Sequence, residues 1–389
     1  MANIRLITWM PGRVGPITNA LRALNNHQWH ETYAGLGFGS REEGVLKRIT
    51  GNNPQAREFQ QKALALAACD RCDLMIGTFD WTDVLFYIIH AYNVHNKITV
   101  LVPHEAVFAS ESEYYAGTIP ITDVALVWGE VQKNIFVNRG YPENRIITVG
   151  TPKFDPLFNF KPQRSWETLS KEFGLSPQLP TILFITQPLD YQFPAETLDI
   201  QIQAIIDTLR WAEAHGAQLL VRLTPDRSAD ILGPAVAAIQ ESHHAAIDGL
   251  EDGGSRRLTP HESIYYCDAV VGFNSTMHLE AAMMNKPCLS IMYNKYSALW
   301  VERGGIPSVT SASELGVVLE RFLSKRGHSF SPEGWRWATN CFLGGWNDGR
   351  SAERIGIVLD ILAQANKQNV HEALAQAEII LEREYPRLA

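Results

Sequence analysis

The sequence has no long apolar run and no excess of basic side chains. A membrane-spanning helix needs about 18–20 consecutive apolar residues, and no run here approaches that length. Lys and Arg number 34 against 42 Asp and Glu, so the net charge is −8. Proteins dedicated to nucleic acids usually carry a basic domain or stripe. We therefore expect neither a transmembrane segment nor a nucleic-acid partner.

Cysteine is scarce, and patterns typical of metal sites are missing. The five cysteines are odd in number and scattered, as in proteins of a reducing compartment: Cys69, Cys72, Cys267, Cys288 and Cys341. Cys69 and Cys72 have the CxxC spacing, but no second pair completes a zinc site. No HExxH motif occurs, and no DxD-type run ends a strand. The first residues lack the features of a signal peptide. We expect a cytoplasmic, metal-independent protein without a cofactor.

What the sequence does contain is an alternation of short β-branched runs with longer helical stretches. Continuous apolar runs such as 98–102 suit strands that are buried on both faces of a parallel sheet. Repeated βαβ units of this kind predict an α/β fold with doubly wound sheets. The strand-like runs are 4–10, 31–37, 73–79, 97–104, 123–129, 145–150, 181–186, 218–223, 245–248, 268–273 and 288–292.

The alternation pauses once, in a stretch with three prolines between residues 154 and 179. We predict an N-terminal domain over 1–160, a linker over 161–179, a C-terminal domain over 180–350, and crossover and tail helices over 351–389. Ligands of such sheets bind at the carboxyl ends of the strands. Two Rossmann-like domains facing a cleft are therefore the predicted architecture.

Two glycine-rich segments follow the first two strands. In the run 35–40, Ser40 occupies a position where the dinucleotide fingerprint needs glycine, so we interpret the run as a turn in which Ser40 caps a helix. The earlier segment contains Gly12, Arg13 and Gly15. We interpret it as a loop whose backbone amides approach a phosphate or an acceptor, with a plain tight turn as the alternative.

The most informative segment follows the strand-like run 268–273. Asn274, Ser275 and Thr276 end the strand, and a helix follows immediately. Hydroxyls beside the free N–H groups of a helix start suit a phosphate. Glu280 lies one turn inside that helix, within reach of a ribose. An ordinary helix cap is the alternative interpretation.

This strand–Asn-Ser-Thr–helix–Glu pattern, in a chain with two α/β halves, resembles the GT-B glycosyltransferases. More narrowly, it resembles the bacterial surface-polysaccharide branch of Kdo, sialic acid and glycerophosphate transferases. The segment 182–192, with Gln187 in the loop after a strand, is similar to the start of the second domain in capsule Kdo transferases. Segments 149–155 and 348–354 are similar to the Gly-x-Pro-x-x-Asp and Asp-Gly-(Arg/Lys) motifs of that branch.

Two departures from the family pattern place carboxylates at predicted strand ends. His104 and Glu105 stand where the branch often has His-Gly, and the segment 222–227, with Arg222 and Asp226, replaces His-Pro. Asp226 is the predicted nucleophile of a retaining reaction. Glu105, beside His104, is the predicted acid–base group. Surface or capping carboxylates are the alternative. By the same resemblance His261 contacts the donor phosphate.

The resemblance implies a glycosyltransferase that moves Kdo from CMP-Kdo onto a bacterial surface glycan or a lipid-linked oligosaccharide. The acceptor is expected at the N-terminal domain. Peripheral membrane association and membership of a multidomain synthase stay open. The alternatives are a UDP-GlcNAc 2-epimerase, which shares the fold, and a non-catalytic glycan-binding domain. The predicted donor-binding residues are Gln187, Arg222, Asn274, Ser275, Thr276 and Glu280.

Overall fold

The computed structural model describes residues 2–8, 11–33, 54–78, 83–103, 120–187, 194, 196–223, 232–249, 257–296, 301, 305–324 and 331–387. The chain divides into two compact units. The first comprises Met1–Pro156 and Thr339–Ala389, and the second comprises Leu157–Ala338. Within the described residues each unit contains a six-stranded sheet, and every strand pairing in both sheets is parallel.

The first sheet has the strand order β2-β1-β3-β4-β5-β6. All residues of β3 to β6 are buried, which explains why these strands appear in the sequence as continuous apolar runs. The strands are β1 (Asn3–Thr8), β2 (Gln28–Tyr33), β3 (Leu74–Gly77), β4 (Ile98–Leu101), β5 (Val124–Val127) and β6 (Ile146–Thr148). The helices between them are α1 (Pro11–Arg22), α2 (Pro54–Cys69), α3 (Asp83–Val94) and α4 (Glu130–Asn138).

The second sheet has the order β12-β11-β10-β7-β8-β9. Its strand order reverses between β7 and β10, and such a switch point is where open α/β sheets bind ligands. The strands are β7 (Thr181–Ile185), β8 (Gln218–Arg222), β9 (Ala245–Asp248), β10 (Ala269–Gly272), β11 (Cys288–Ile291) and β12 (Ser308–Val309). The helices are α5 (Trp166–Phe173), α6 (Thr197–Ala214), α7 (Gly233–Glu241), α8 (Pro260–Tyr266), α9 (Met277–Met283) and α10 (Ala312–Leu323).

The end of the chain completes the first unit. Helix α11 (Pro332–Phe342) contains the boundary between the units, and α12 (Ser351–Leu362) and α13 (Val370–Glu384) follow it. Leu359 of α12 and Leu374 of α13 are buried in the same hydrophobic cluster as Ile4 and Val100 of the first sheet. One face of that sheet is therefore covered by residues from both ends of the sequence.

Two motifs that lie far apart in the sequence meet at the start of α12. The carboxylate of Asp155 accepts hydrogen bonds from the backbone N–H groups of Ser351 and Ala352, at 2.9 and 2.8 Å. Arg354, whose side chain is almost fully buried, donates from Nε to the carbonyl of Val149 at 2.9 Å and from Nη1 to Asp348 at 2.7 Å. The segments 149–155 and 348–354 thus join the C-terminal segment to β6.

The predicted fold class, two α/β Rossmann-like units with helices at the C-terminal end, is confirmed. One local prediction is wrong: Gly12, Arg13 and Gly15 lie in the first two turns of α1, not in a loop. Two glycines and Pro16 lower helix propensity, which explains the incorrect interpretation. The predicted contact of this segment with an acceptor stays a prediction. No helix among the described residues is long and apolar enough to cross a bilayer.

Candidate functional site

The candidate site lies at the carboxyl edge of the second sheet, where β7 and β10 end beside each other. The last residues paired between these strands are Phe184 and Val271. Gln187 and Asn274 each lie three residues farther along the chain, so they face each other across the switch point. Both were predicted from the sequence as ligand-binding residues, and the structure brings them together.

Two glutamine side chains hold the backbone at this edge. Gln187 Oε1 accepts from the N–H of Asn274 at 2.9 Å, and Gln187 Nε2 donates to the Asn274 carbonyl at 3.4 Å. Gln201 of α6 holds Gln187 in the same way: its Oε1 accepts from the Gln187 N–H at 2.9 Å and its Nε2 donates to the Gln187 carbonyl at 3.4 Å. Sequence analysis misses Gln201, because a polar residue inside a helix gives no sign of a tertiary partner.

Three polar side chains follow β10 in sequence. Ser275 Oγ accepts from the backbone N–H of Met277 at 3.2 Å and so supports the first turn of α9. Thr276 directly precedes α9 with helical backbone angles, and its side chain forms no capping bond. Asn274 Oδ1 is shielded from solvent and has no hydrogen-bond partner among the described residues. An acceptor and two hydroxyls therefore lie at the end of this strand.

Glu280 and His261 form a pair beside this strand end. Glu280 lies one turn inside α9 with its side chain 2% exposed, and its Oε2 is 3.7 Å from Nε2 of His261 on α8. A capping box fixes the start of α8: Thr259 Oγ1 accepts from the N–H of Glu262 at 3.1 Å, and Glu262 Oε2 accepts from the N–H of Thr259 at 3.0 Å. The structure thus brings together a carboxylate and an imidazole that were predicted separately.

A second histidine, His278 of α9, was not singled out from the sequence. Its ring is fully buried, and Nε2 lies 3.1 Å from the carbonyl oxygen of Leu289, to which it donates. Burial lowers the pKa of His278 to about 4, so the imidazole is neutral at pH 7. A Cβ at Gly272 would lie 3.2 Å from this ring. His278 therefore packs α9 against the sheet as a neutral side chain.

Further polar side chains lie on β11 and directly after it. Ser290 Oγ donates to the carbonyl of Phe273 at 2.5 Å and lies 3.1 Å from the hydroxyl of Tyr296. Burial raises the pKa of Tyr296, so its phenol stays protonated. Asn294 Nδ2 donates to Thr197 Oγ1 at 2.9 Å. The sequence carries a signal for this group, since polar residues directly follow the strand-like run 288–292, as they do after 268–273.

Arg222 forms a buried ion pair, and its predicted contact with a ligand stays a prediction. Its Nη1 lies 2.5 Å from Asp248 Oδ2 and donates to the carbonyl of Leu258 at 3.0 Å. The two charged side chains are 4% and 0% exposed. This buried ion pair joins the carboxyl ends of β8 and β9.

The other predicted catalytic residues are not among the residues that the structure describes. His104, Glu105 and Asp226 lie outside the described residues, as does the glycine-rich run 35–40. The predicted catalytic roles, Asp226 as the nucleophile and Glu105 beside His104 as the acid–base group, stay predictions.

No protein-family model matches the chain, and no curated protein matches it in sequence. Solved structures do match its fold. A candidate UDP-N-acetylglucosamine 2-epimerase from Listeria monocytogenes is 13% identical with a TM-score of 0.64, over 94% of this chain and 98% of that one. The UDP-GlcNAc 2-epimerase of Neisseria meningitidis, bound to UDP-GlcNAc, is 12% identical with a TM-score of 0.60, over 93% and 100%.

A third solved structure carries a different sugar. The Anabaena protein HepE, in complex with UDP and glucose, is 11% identical to this chain. Its TM-score is 0.54, and the match covers 91% of this chain and 99% of that one.

These matches correct the predicted activity. The prediction of a glycosyltransferase that uses CMP-Kdo is wrong, because many of the similar structures are UDP-GlcNAc 2-epimerases. The narrower resemblance to Kdo transferases is not confirmed either. The error came from motifs that mark strand ends of the fold and were taken as signs of one donor. The chain has the GT-B-like α/β fold that these epimerases share with glycosyltransferases.

Proposed function

We propose that this protein binds a uridine diphosphate sugar at the carboxyl edge of its second sheet and inverts the sugar at C2, as a UDP-GlcNAc 2-epimerase. The observation that carries the proposal is the polar edge at the switch point, where the Gln187–Asn274 hydrogen bonds span β7 and β10. The fold match to proteins solved with UDP-GlcNAc and with UDP and glucose supports a UDP-sugar as the ligand.

Each part of the ligand has a proposed partner at this edge. The carboxylate of Glu280 accepts hydrogen bonds from the ribose hydroxyls, and His261 stands beside it, 3.7 Å away. Ser275 and Thr276 donate their hydroxyls to the diphosphate. Hydrogen bonds in which one partner is charged are about twice as strong as neutral ones, so these groups are suited to hold an anionic nucleotide.

Epimerisation places demands on the sugar end of the site. Inversion at C2 requires that the C2–H bond break on one face of the ring and form on the other. Such a reaction needs an acid–base group on each side of the ring. His104 and Glu105, predicted from the sequence as the acid–base pair, are our candidates for these groups. Asp226, predicted from the sequence as a nucleophile, is a third candidate and takes a different role in this proposal.

The test is turnover without an acceptor. We expect the purified protein to convert UDP-GlcNAc into its C2 epimer, detected by proton NMR. Deuterium should enter at C2 when the reaction is run in D₂O. UDP should raise the melting temperature, and CMP should not. The proposal is overturned if no C2 epimer forms, or if CMP stabilises the protein and UDP does not.

A variant with a matched control locates the ligand. Glu280→Gln removes the charge that is proposed to bind the ribose, and we expect UDP affinity to fall about tenfold to a hundredfold. Glu372→Gln changes an exposed carboxylate of α13 in the first unit and should leave the affinity unchanged. Equal affinities of the two variants would place the nucleotide elsewhere.

A further inference from the structure

The hydrogen bonds of Gln187 and Gln201 form a relay of two side-chain amides. Each side-chain amide bonds to the backbone of one residue. Its Oε1 accepts from the N–H of that residue, and its Nε2 donates to the carbonyl of the same residue. The relay runs from the second turn of α6, through the end of β7, to the end of β10. All of its members lie within the second unit.

Gln201 is an unusual residue for its position. The buried face of α6 is otherwise formed by small and apolar side chains: Thr197, Ala204, Ile205, Thr208, Leu209 and Ala212. Gln201 is only 2% exposed, and burying an amide is unfavourable unless both of its polar ends are hydrogen-bonded. Leu or Met would fill the same space without that requirement. We therefore attribute the presence of an amide at this position to its hydrogen bonds with Gln187.

The relay acts where the sheet opens. β7 and β10 pair through Phe184 and Val271, and beyond that point the ladder ends. Gln187 and Asn274 stand in the same register, three residues later on each strand. A side chain thus replaces the backbone ladder at the two loops that flank the switch point. It fixes the distance between these loops and the conformation of the turn 274–276.

We infer that Gln201 and Gln187 are positioning residues for the nucleotide: they hold the Asn274–Thr276 turn so that its hydroxyls meet the diphosphate. The inference rests on the proposed function and deepens it. It also changes the predicted role of Gln187. Both polar atoms of that side chain bond to the Asn274 backbone, so we assign Gln187 to holding the turn.

Gln201→Met is the decisive variant, because Met has a similar length and lacks both hydrogen-bonding groups. Gln203→Met is the matched control: Gln203 is exposed on the same helix and donates to Asp207, at 2.7 Å. We expect Gln201→Met to lower UDP affinity about tenfold to a hundredfold. Gln203→Met should bind UDP as the wild type does.

Comparing the affinities for UDP and for uridine distinguishes the positioning of the turn by Gln201 from a purely structural role of this residue. Uridine lacks the phosphates that the turn is inferred to bind, so its affinity, measured by NMR titration, should stay within about twofold in Gln201→Met. Equal losses for UDP and uridine would overturn the inference. KM for the UDP-sugar should rise with little change in kcat.

Amide hydrogen exchange tests the relay independently of any ligand. The N–H of Asn274 should exchange at least about tenfold faster in Gln201→Met and in Gln187→Met than in the wild type. Unchanged exchange in both variants would overturn the inference. If exchange accelerates but the wild type binds no UDP, the proposed function fails while the relay itself stands.

Discussion

At the scale of single residues, burial decides what a titratable side chain near the site can do. His278 lies on the same helix as Glu280, but its ring is fully buried and donates to the Leu289 carbonyl. His261 is partly exposed beside Glu280. Of these two histidines only His261 has access to a ligand, whereas His278 contributes to stability.

The buried His278 predicts a pH dependence of stability. Its pKa is about 4 in the folded chain and 6.5 in an ordinary environment, so the unfolded chain binds the proton more readily. The free energy of unfolding should therefore be highest above about pH 6.5 and fall by about 3 kcal/mol as the pH drops to about 4. Burial also lowers the pKa of His27, which adds to the same decrease. Urea unfolding at a series of pH values measures it.

His278→Gln isolates this contribution, because Gln can donate to Leu289 and does not titrate. The variant should lose less stability between pH 6.5 and pH 4 than the wild type. His371→Gln, which changes an exposed residue, should behave as the wild type does. An identical pH dependence in all three proteins would refute the assignment.

At the scale of elements, the sequence predicts those strands and helices that depend on the local pattern of apolar and polar residues. The predicted strand-like runs overlap eleven of the twelve described strands, although β2 begins three residues before the predicted run 31–37. The exception, β12, has only two residues, too few for a pattern. Polar residues directly after strands single out Gln187 and Asn274, which the structure brings together; their contact with a ligand stays a prediction. Gln201 and the ion pair of Arg222 with Asp248 could not be predicted, because their partners are set by tertiary packing.

Alanine should have different effects at two glycines, one inside α1 and one directly before α4. A Cβ at Gly15, inside α1, meets no described atom within 4 Å outside its own helix backbone and its two chain neighbours. Pro16 follows Gly15, however, and a proline ring clashes with the Cβ of a preceding helical residue. This clash offsets the gain in helix propensity, so Gly15→Ala should change the free energy of unfolding by less than about 1 kcal/mol. A Cβ at Gly129, before α4, would overlap the carbonyl oxygen of Cys341. Gly129→Ala should therefore lower stability by about 1–3 kcal/mol. Denaturant titration compares both variants with the wild type, and a Gly129→Ala variant as stable as the wild type would contradict the close approach of Gly129 to Cys341.

At the scale of the whole molecule, the two units differ in the number of sequence segments that form them. The second unit is one continuous segment, and the first combines the beginning and the end of the chain. Its largest hydrophobic cluster includes Ile355 and Leu359 of α12 and Leu374 and Leu381 of α13. The ligand that such a fold binds was beyond prediction, because a polar switch point is common to proteins with different donors.

Helix α13 should therefore control the stability of the first unit selectively. Leu374 is 3% exposed and Ile379, on the same helix, is 67% exposed. Leu374→Ala should cost about 2–5 kcal/mol, and Ile379→Ala should stay within about 0.5 kcal/mol of the wild type. Hydrogen exchange should accelerate in β1 and β3 of Leu374→Ala and stay unchanged in β7 and β10. Faster exchange in both sheets would show that the units do not unfold separately.

Because the first unit is formed by two separate segments of the sequence, its synthesis is completed only after that of the second unit. The last 51 residues, which carry α12 and α13, leave the ribosome after the second unit is complete. At about 5–20 residues per second, this delay lasts about 3–10 seconds. Throughout that interval the apolar cluster around Ile4 and Val100 contains α1 but lacks the side chains that α12 and α13 contribute. The first unit is thus begun before the second unit and completed after it.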